Sequence, residues 1–358
     1  VEEKVMAEDG QKLELGLLIS ADSHVMEAPD FWAKALPAGM RAKAPVYGDS
    51  KKENPFQGQE GAREAALRVT EMAKDGVSGE VLYPTRALHQ YGMDDVELQE
   101  ACFKVYNDWL LEYCAVAPER LFGVACISAF RIKEAIKEME RCKKLGMKGI
   151  MIWQAPPDEW SFATNHHDPL FEAAEALDMP VSLHILTGAP YKPGWDALGK
   201  PPVDFQNFVI NDKLHHAVKT LIDMVVSGTF DRFPKLKVIT VENEVSWQPF
   251  VIWQMEKYAA KKYRTDYAMK LKPSEYFKRN LYTTFFNDPA AGELIEKWGP
   301  DTWMWSNDYP HPNSTWPNSR DVIRRDLGHL PESVRAKVIR DTVARVYNLP
   351  KILPLAGL

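Results

Sequence analysis

Leu17-Leu18-Ile19-Ser20-Ala21-Asp22-Ser23-His24-Val25-Met26-Glu27 is the stretch whose reading decides the fold. Its opening, Leu17 to Ala21, reads as a strand that runs into Asp-Ser-His with no glycine behind it. A doubly wound nucleotide-binding sheet places a glycine-rich turn after its first strand, where only glycine lets the backbone approach a pyrophosphate. Outward from this segment, short β-branched or aromatic runs alternate with longer amphipathic ones. Further strands are expected at Glu80 to Tyr83, Leu121 to Ile127, Lys148 to Trp153, Pro180 to Ile185, Leu236 to Val241, Leu281 to Phe285 and Thr302 to Trp305. Most are continuously apolar, the pattern of parallel strands covered on both faces. The set predicts an α/β fold, a (β/α)8 TIM barrel with a long insertion after the first strand, as a single domain over residues 1–358.

Helical patterns fill the gaps at Val96 to Ala117, Ile132 to Leu145, Leu214 to Val226, Trp247 to Lys261 and Pro331 to Val346. Gly146 is placed to end the second of these in the left-handed region, and Asp168-Pro169 is expected to cap and start another helix. Residues 25–79 are too many for one strand–helix connection. With a helix at Gly61 to Lys74 and a polar, proline-bearing loop at Ala44 to Gly58, they are expected to lie over the barrel mouth.

Composition narrows the function classes. The 358 residues are 45% hydrophobic and 26% charged, which is ordinary globular usage. Lys plus Arg total 44 against 50 Asp plus Glu, a net −6 with no basic cluster, which argues against nucleic acid as the partner. No apolar stretch is long enough to cross a bilayer, and the acidic opening VEEKVMAEDG carries no hydrophobic run, so a cytoplasmic protein without a membrane partner is expected. Cys102, Cys114, Cys126 and Cys142 show no close pair, which points to reduced thiols rather than a zinc ribbon.

Functional groups of a parallel barrel gather at the C-terminal ends of its strands. There the chain places Asp22 and His24 after the first strand, His184 after the fifth, Glu242 and Glu244 after the sixth, and Asn307-Asp308-Tyr309-Pro310-His311 after the eighth. Clustered carboxylates repel one another unless protonated or neutralised by a cation. Carboxylate with imidazole suits zinc, iron or manganese, as one ion or two.

Those residues carry a resemblance. The segments ISADSHVMEAPDFW, MPVSLHILTG, SGTFDRFPKLKVITVENEVSW and WSNDYPHPNSTWP fall in order between residues 19 and 317. They resemble the amidohydrolase-related (amidohydrolase 2) family, the branch that contains aminocarboxymuconate-semialdehyde decarboxylase and gamma-resorcylate decarboxylase. The resemblance implies a metal-binding barrel with Asp22, His24, His184 and Asp308 as ligands, and a homo-oligomer acting on a small molecule. One position departs from it. The decarboxylases carry a catalytic His at the end of strand six, where this chain has Glu242, a group suited to ligating or bridging metal.

Other side chains were weighed as site residues. With an apolar face centred on Leu214, Val218, Leu221 and Val225, His215 flanks the buried side of its helix and His216 points outward, so His215 is a candidate acid, base or ligand. His311 is a second candidate acid. Arg86 is a candidate carboxylate clamp, and Trp153 and Trp316 are candidate substrate walls, with core packing an equal explanation for Trp153. His89, His166, His167 and His329 are expected in loops or on the surface.

The first expectation is a hydrolase in which Asp308 accepts a proton from metal-bound water and His215 or His311 protonates the leaving group. The alternatives are nonoxidative decarboxylation of an aromatic or enoic acid, and a nonheme diiron monooxygenase bridged by Glu242.

Overall fold

Eight strands pair in chain order, each parallel to the next: β1 (Ile19–Val25), β2 (Gly79–Pro84), β3 (Leu121–Cys126), β4 (Gly149–Trp153), β5 (Val181–His184), β6 (Val238–Val241), β7 (Leu281–Phe285) and β8 (Trp303–Trp305). The computed structural model describes residues 13–47, 59–188, 215–261 and 269–354. Every strand residue is buried, as the unbroken apolar runs require of a sheet covered by helices on the outside and by its own side chains within. The first and last strands meet through the segment after β8. Asp308 N donates to the Asp22 carbonyl at 3.1 Å, and His24 N donates to the Tyr309 carbonyl at 2.6 Å. The architecture is a (β/α)8 barrel.

Several helices follow the sequence closely because their caps do. Asp95 accepts Leu98 N at 3.1 Å and starts the helix Val96–Cys114, while Gly146, at φ 107°, ends the helix Ile132–Leu145. Buried amides then pin helices to strands. Asn107 accepts from Cys126 N at 2.8 Å and donates to its carbonyl at 3.0 Å, which fixes a helix against β3. Cys102, Cys126 and Cys142 are buried free thiols and Cys114 is half-buried.

Five expectations need correction. β1 extends to Val25, so Asp22 and His24 lie within the strand rather than after it. Its pairing with β2 continues to Pro84, past a register shift between Ser20 and Ser23, and polar neighbours replace the apolar ones that marked its start. The helix Asp168–Ala176 has His167 at its N-cap position without a side-chain capping hydrogen bond, and the Asp168 carboxylate pairs with Arg232 at 2.8 Å instead of capping. His167 itself is buried under Trp153, not in a surface loop. The pair His215 and His216 is reversed: His215 is exposed and His216 half-buried. The buried face of the helix Ala217–Val226 includes Ala217, Thr220 and Met224 as well as Leu221 and Val225, which turns its centre by roughly 60° at 100° per residue. Leu214, used to set the expected face, lies outside the described residues, as does most of the Ala44 to Gly58 loop. The expected Gly61 to Lys74 helix is a short 3-10 turn at Glu60–Ala62 followed by the helix Ala65–Asp75. No helix among the described residues is long and apolar enough to cross a membrane.

Candidate metal centre

Two overlapping quartets form at the C-terminal end of the barrel. Asp22, His24, His184 and Glu242 bring one ligand atom each within 4.8 Å of one another, and so do His24, Glu242, Asp308 and His311. Strand register builds the first, since β1, β5 and β6 all end at this face. Backbone geometry completes it. Glu242 has φ 62° and Asp308 φ 55°, left-handed values that cost a non-glycine residue about 1–3 kcal/mol. Glu242 turns its carboxylate inward from the first position beyond β6, and Asp308 from the third beyond β8.

The histidines are prepared as ligands by their far nitrogens. His24 Nδ1 lies 2.7 Å from the Pro84 carbonyl and His184 Nδ1 2.9 Å from the Ile185 carbonyl. A carbonyl can only accept, so each Nδ1 carries the proton and each Nε2 presents a lone pair to the centre. His24 Nε2 stands 3.4 Å from both Asp22 Oδ1 and Asp308 Oδ1, and His184 Nε2 stands 3.8 Å from Asp22 Oδ1 and 4.0 Å from Glu242 Oε2. Burial first, and then His311 and His184, hold His24 well below the usual imidazole range. Burial also lowers His184, but Asp22 and Glu242 outweigh it and leave that residue raised.

The fit to a cation rests on what these atoms lack. Asp22 Oδ1 and Oδ2, His24 Nε2 and His184 Nε2 are fully buried and have no hydrogen-bond partner. Buried carboxylate oxygens without donors are costly, and two imidazole lone pairs aimed at them add repulsion. A divalent cation satisfies all four atoms at once. The mixed oxygen and nitrogen set suits manganese, iron or zinc better than calcium.

A family model for amidohydrolases matches residues 23–349. The chain belongs to the amidohydrolase family. Among curated relatives, gamma-resorcylate decarboxylase of Polaromonas sp. (strain JS666) is 28% identical over 260 residues, covering 69% of this chain and 77% of that protein. Among solved structures, 5-carboxyvanillate decarboxylase from Sphingomonas paucimobilis superposes with TM-score 0.73 at 27% identity, over 94% of this chain and all (100%) of that one. The 5-carboxyvanillate decarboxylase of Novosphingobium aromaticivorans, solved with manganese and 4-hydroxy-3-methoxy-5-nitrobenzoic acid, shares the fold at TM-score 0.69 and 19% identity, over 94% of this chain and 97% of that one.

In this amidohydrolase, His311 enters the site from the segment after β8. Its Nδ1 lies 2.8 Å from Asp308 Oδ1, its Nε2 lies 3.3 Å from Thr85 Oγ1, and its ring stands 4.0 Å from that of His24. His215, by contrast, is exposed and belongs to neither quartet. Arg86 is half-buried and tied to Glu27, donating from Nη1 to the Glu27 carbonyl at 2.6 Å, while the Glu27 carboxylate accepts from Arg86 N at 2.8 Å and Ala87 N at 3.1 Å. Trp153 is fully buried among Phe130, Trp160 and His167, and donates to His167 Nε2 at 3.0 Å. Trp316 packs on Tyr309 and donates to the Glu71 carbonyl at 3.1 Å. Sequence reasoning passed over the polar layer behind the metal ligands. Arg68, Glu71, Asp75 and Glu80 are all buried there, joined to Asn307 and Tyr309. Three of them, Arg68, Glu71 and Asp75, lie on a short amphipathic helix whose charges read as a solvated face, and Glu80 stands near the start of β2.

Proposed function

We propose that this amidohydrolase is a divalent-metal-dependent nonoxidative decarboxylase of a small aromatic carboxylic acid bearing a ring hydroxyl. The observation that carries the reading is the Asp308–His311 pair beside the ligand quartet, with 2.8 Å between Oδ1 and Nδ1. A decarboxylase needs a cation for the carboxylate and a proton for the ring carbon. Strand six ends in Glu242 rather than an imidazole, and His311 presents a ring nitrogen within 4.8 Å of the Glu242 carboxylate. The gamma-resorcylate and 5-carboxyvanillate decarboxylases among its relatives favour this lyase chemistry over the hydrolysis expected first.

Asp22, His24, His184 and Asp308 would hold the ion, with Glu242 beside them. When bound, it supplies a positive charge that orients carboxylate and hydroxyl oxygens together. The Asp308 carboxylate accepts from His311 Nδ1 and so turns Nε2 toward the substrate. His311, protonated on both ring nitrogens, keeps its Nδ1 proton hydrogen-bonded to Asp308 and delivers its Nε2 proton to the ring carbon that carries the carboxylate. The bond between that carbon and the carboxylate then breaks, its electron pair restores the ring, and carbon dioxide leaves. Water returns a proton to His311.

The test is turnover of a panel of ortho-hydroxylated aromatic acids by manganese-loaded protein in D2O. Carbon dioxide release with one deuterium at the vacated ring carbon is expected. Hydrolysis of an ester, amide or lactone panel without carbon dioxide release overturns the reading. A second reading rests on Glu242, the carboxylate that with His24 belongs to both quartets and that would supply a bridging oxygen if two ions were bound. Two irons per chain in protein purified without added metal selects the diiron monooxygenase, and one divalent ion per chain selects the decarboxylase.

A further inference from the structure

Arg68 comes from the helix Ala65–Asp75, in the segment between β1 and β2, and is completely buried. Its Nη1 donates to the main-chain carbonyl of His24 at 2.7 Å, and its Nε donates to Glu80 Oε2 at 2.6 Å. The guanidinium lies 4.1 Å over the ring of Tyr309, the residue that follows Asp308. Glu80 Oε1 in turn accepts from Asn307 Nδ2 at 3.3 Å, and Asn307 Oδ1 accepts from Ser20 at 3.0 Å, Ser23 at 2.7 Å and Tyr309 N at 3.2 Å. One side chain thus touches the backbone of one metal-site residue, on β1, and the immediate neighbour of another, in the segment after β8.

We propose that Arg68 is a positioning residue of the metal centre, holding the His24 backbone, Glu80 and the Tyr309 ring as one unit so that Asp22, His24 and Asp308 keep a common geometry. Packing alone does not account for it. Arg68 Nη2 is buried without a hydrogen-bond partner, and an apolar side chain of similar volume fills such a space as well or better. What methionine cannot do is bond a carbonyl and a carboxylate at fixed angles while stacking on an aromatic ring. Partners of this kind behind a ligand tune both affinity and geometry.

The inference rests on the metal-site reading, and the experiment separates the two. Metal-free wild type, R68M, R68K and M139A are titrated with Mn2+ by chelator competition, and with Co2+ while the visible absorption band is recorded. Met139 is a buried core residue of the helix Ile132–Leu145 and serves as a control for lost stability. R68M is expected to bind Mn2+ about tenfold or more weakly than wild type, with a shifted Co2+ band. R68K keeps a cation beside Glu80 and folds, yet cannot hold both partners, and is expected to shift the band in the same direction. M139A keeps the wild-type affinity and band. Wild-type affinity and an unchanged band in both Arg68 variants overturn the proposal, as does an equal loss in M139A. No Mn2+ or Co2+ binding by wild type overturns the metal-site reading instead.

Discussion

His24 and His184 show how little of a ligand's preparation lies in its own identity. Each has its Nδ1 bound to a backbone carbonyl on its far side, Pro84 for one and Ile185 for the other, which leaves Nε2 free to serve a cation. His311 has the opposite arrangement, with a carboxylate rather than a carbonyl at Nδ1, which suits an acid that must recover its proton. H311Q retains a polar side chain of similar reach but cannot act as an acid. Its kcat for carbon dioxide release is expected to fall by about 10²–10⁴ with metal content unchanged. Metal analysis beside steady-state kinetics checks this, and loss of metal together with activity would make His311 a ligand.

At the scale of the element, the end of β4 is an aromatic cluster rather than a substrate wall. His167 stands at the N-cap position of the next helix, accepts the Trp153 indole N–H, and is pushed down to about 3 from its usual 6.5 by burial first and His166 second. A histidine lowered in the fold binds its proton less readily there than in the unfolded chain. Its contribution to stability is therefore complete above pH 6.5 and is lost as pH falls toward 3. Between pH 7 and pH 5 the expected loss is on the order of 2 kcal/mol. Urea unfolding of wild type and H167Q across this range measures it: the difference between them should shrink or reverse at acid pH. A constant difference would place the titration elsewhere. The helix Ala65–Asp75 carries a related lesson, since its amphipathic pattern is legible while the partner of its buried polar face is not.

The whole molecule couples metal to fold, because Asp22 and His24 on β1 and Asp308 after β8 meet where the barrel closes. A cation bound there would hold the seam and, binding the folded chain alone, would stabilise it. At a hundredfold excess over Kd it is expected to add about 2.7 kcal/mol, a rise in Tm of about 3–4 °C for a chain of this size. Thermal unfolding with and without Mn2+ reads the shift, and D22N should lose most of it. An equal rise in D22N would locate the ion at another site.

The barrel was legible because continuous apolar runs and capped helices are local properties, and eight of them in alternation admit few topologies. The acids and imidazoles of the candidate site were legible for a related reason: strand ends are marked by where the apolar run stops, and polar residues stand there in series. Reach, direction and company were not. That Glu242 and Asp308 take left-handed backbone, that His216 and not His215 turns toward its helix's packed side, and that Trp153 is spent on His167 depend on contacts between residues far apart in the chain. Arg68 belongs with them. Sequence alone determined a parallel barrel with acids and imidazoles at one end. Tertiary structure decided which of them converge, because strand register around the barrel and hydrogen bonds across the β1–β8 seam, unmarked in any local pattern, set the distances between them.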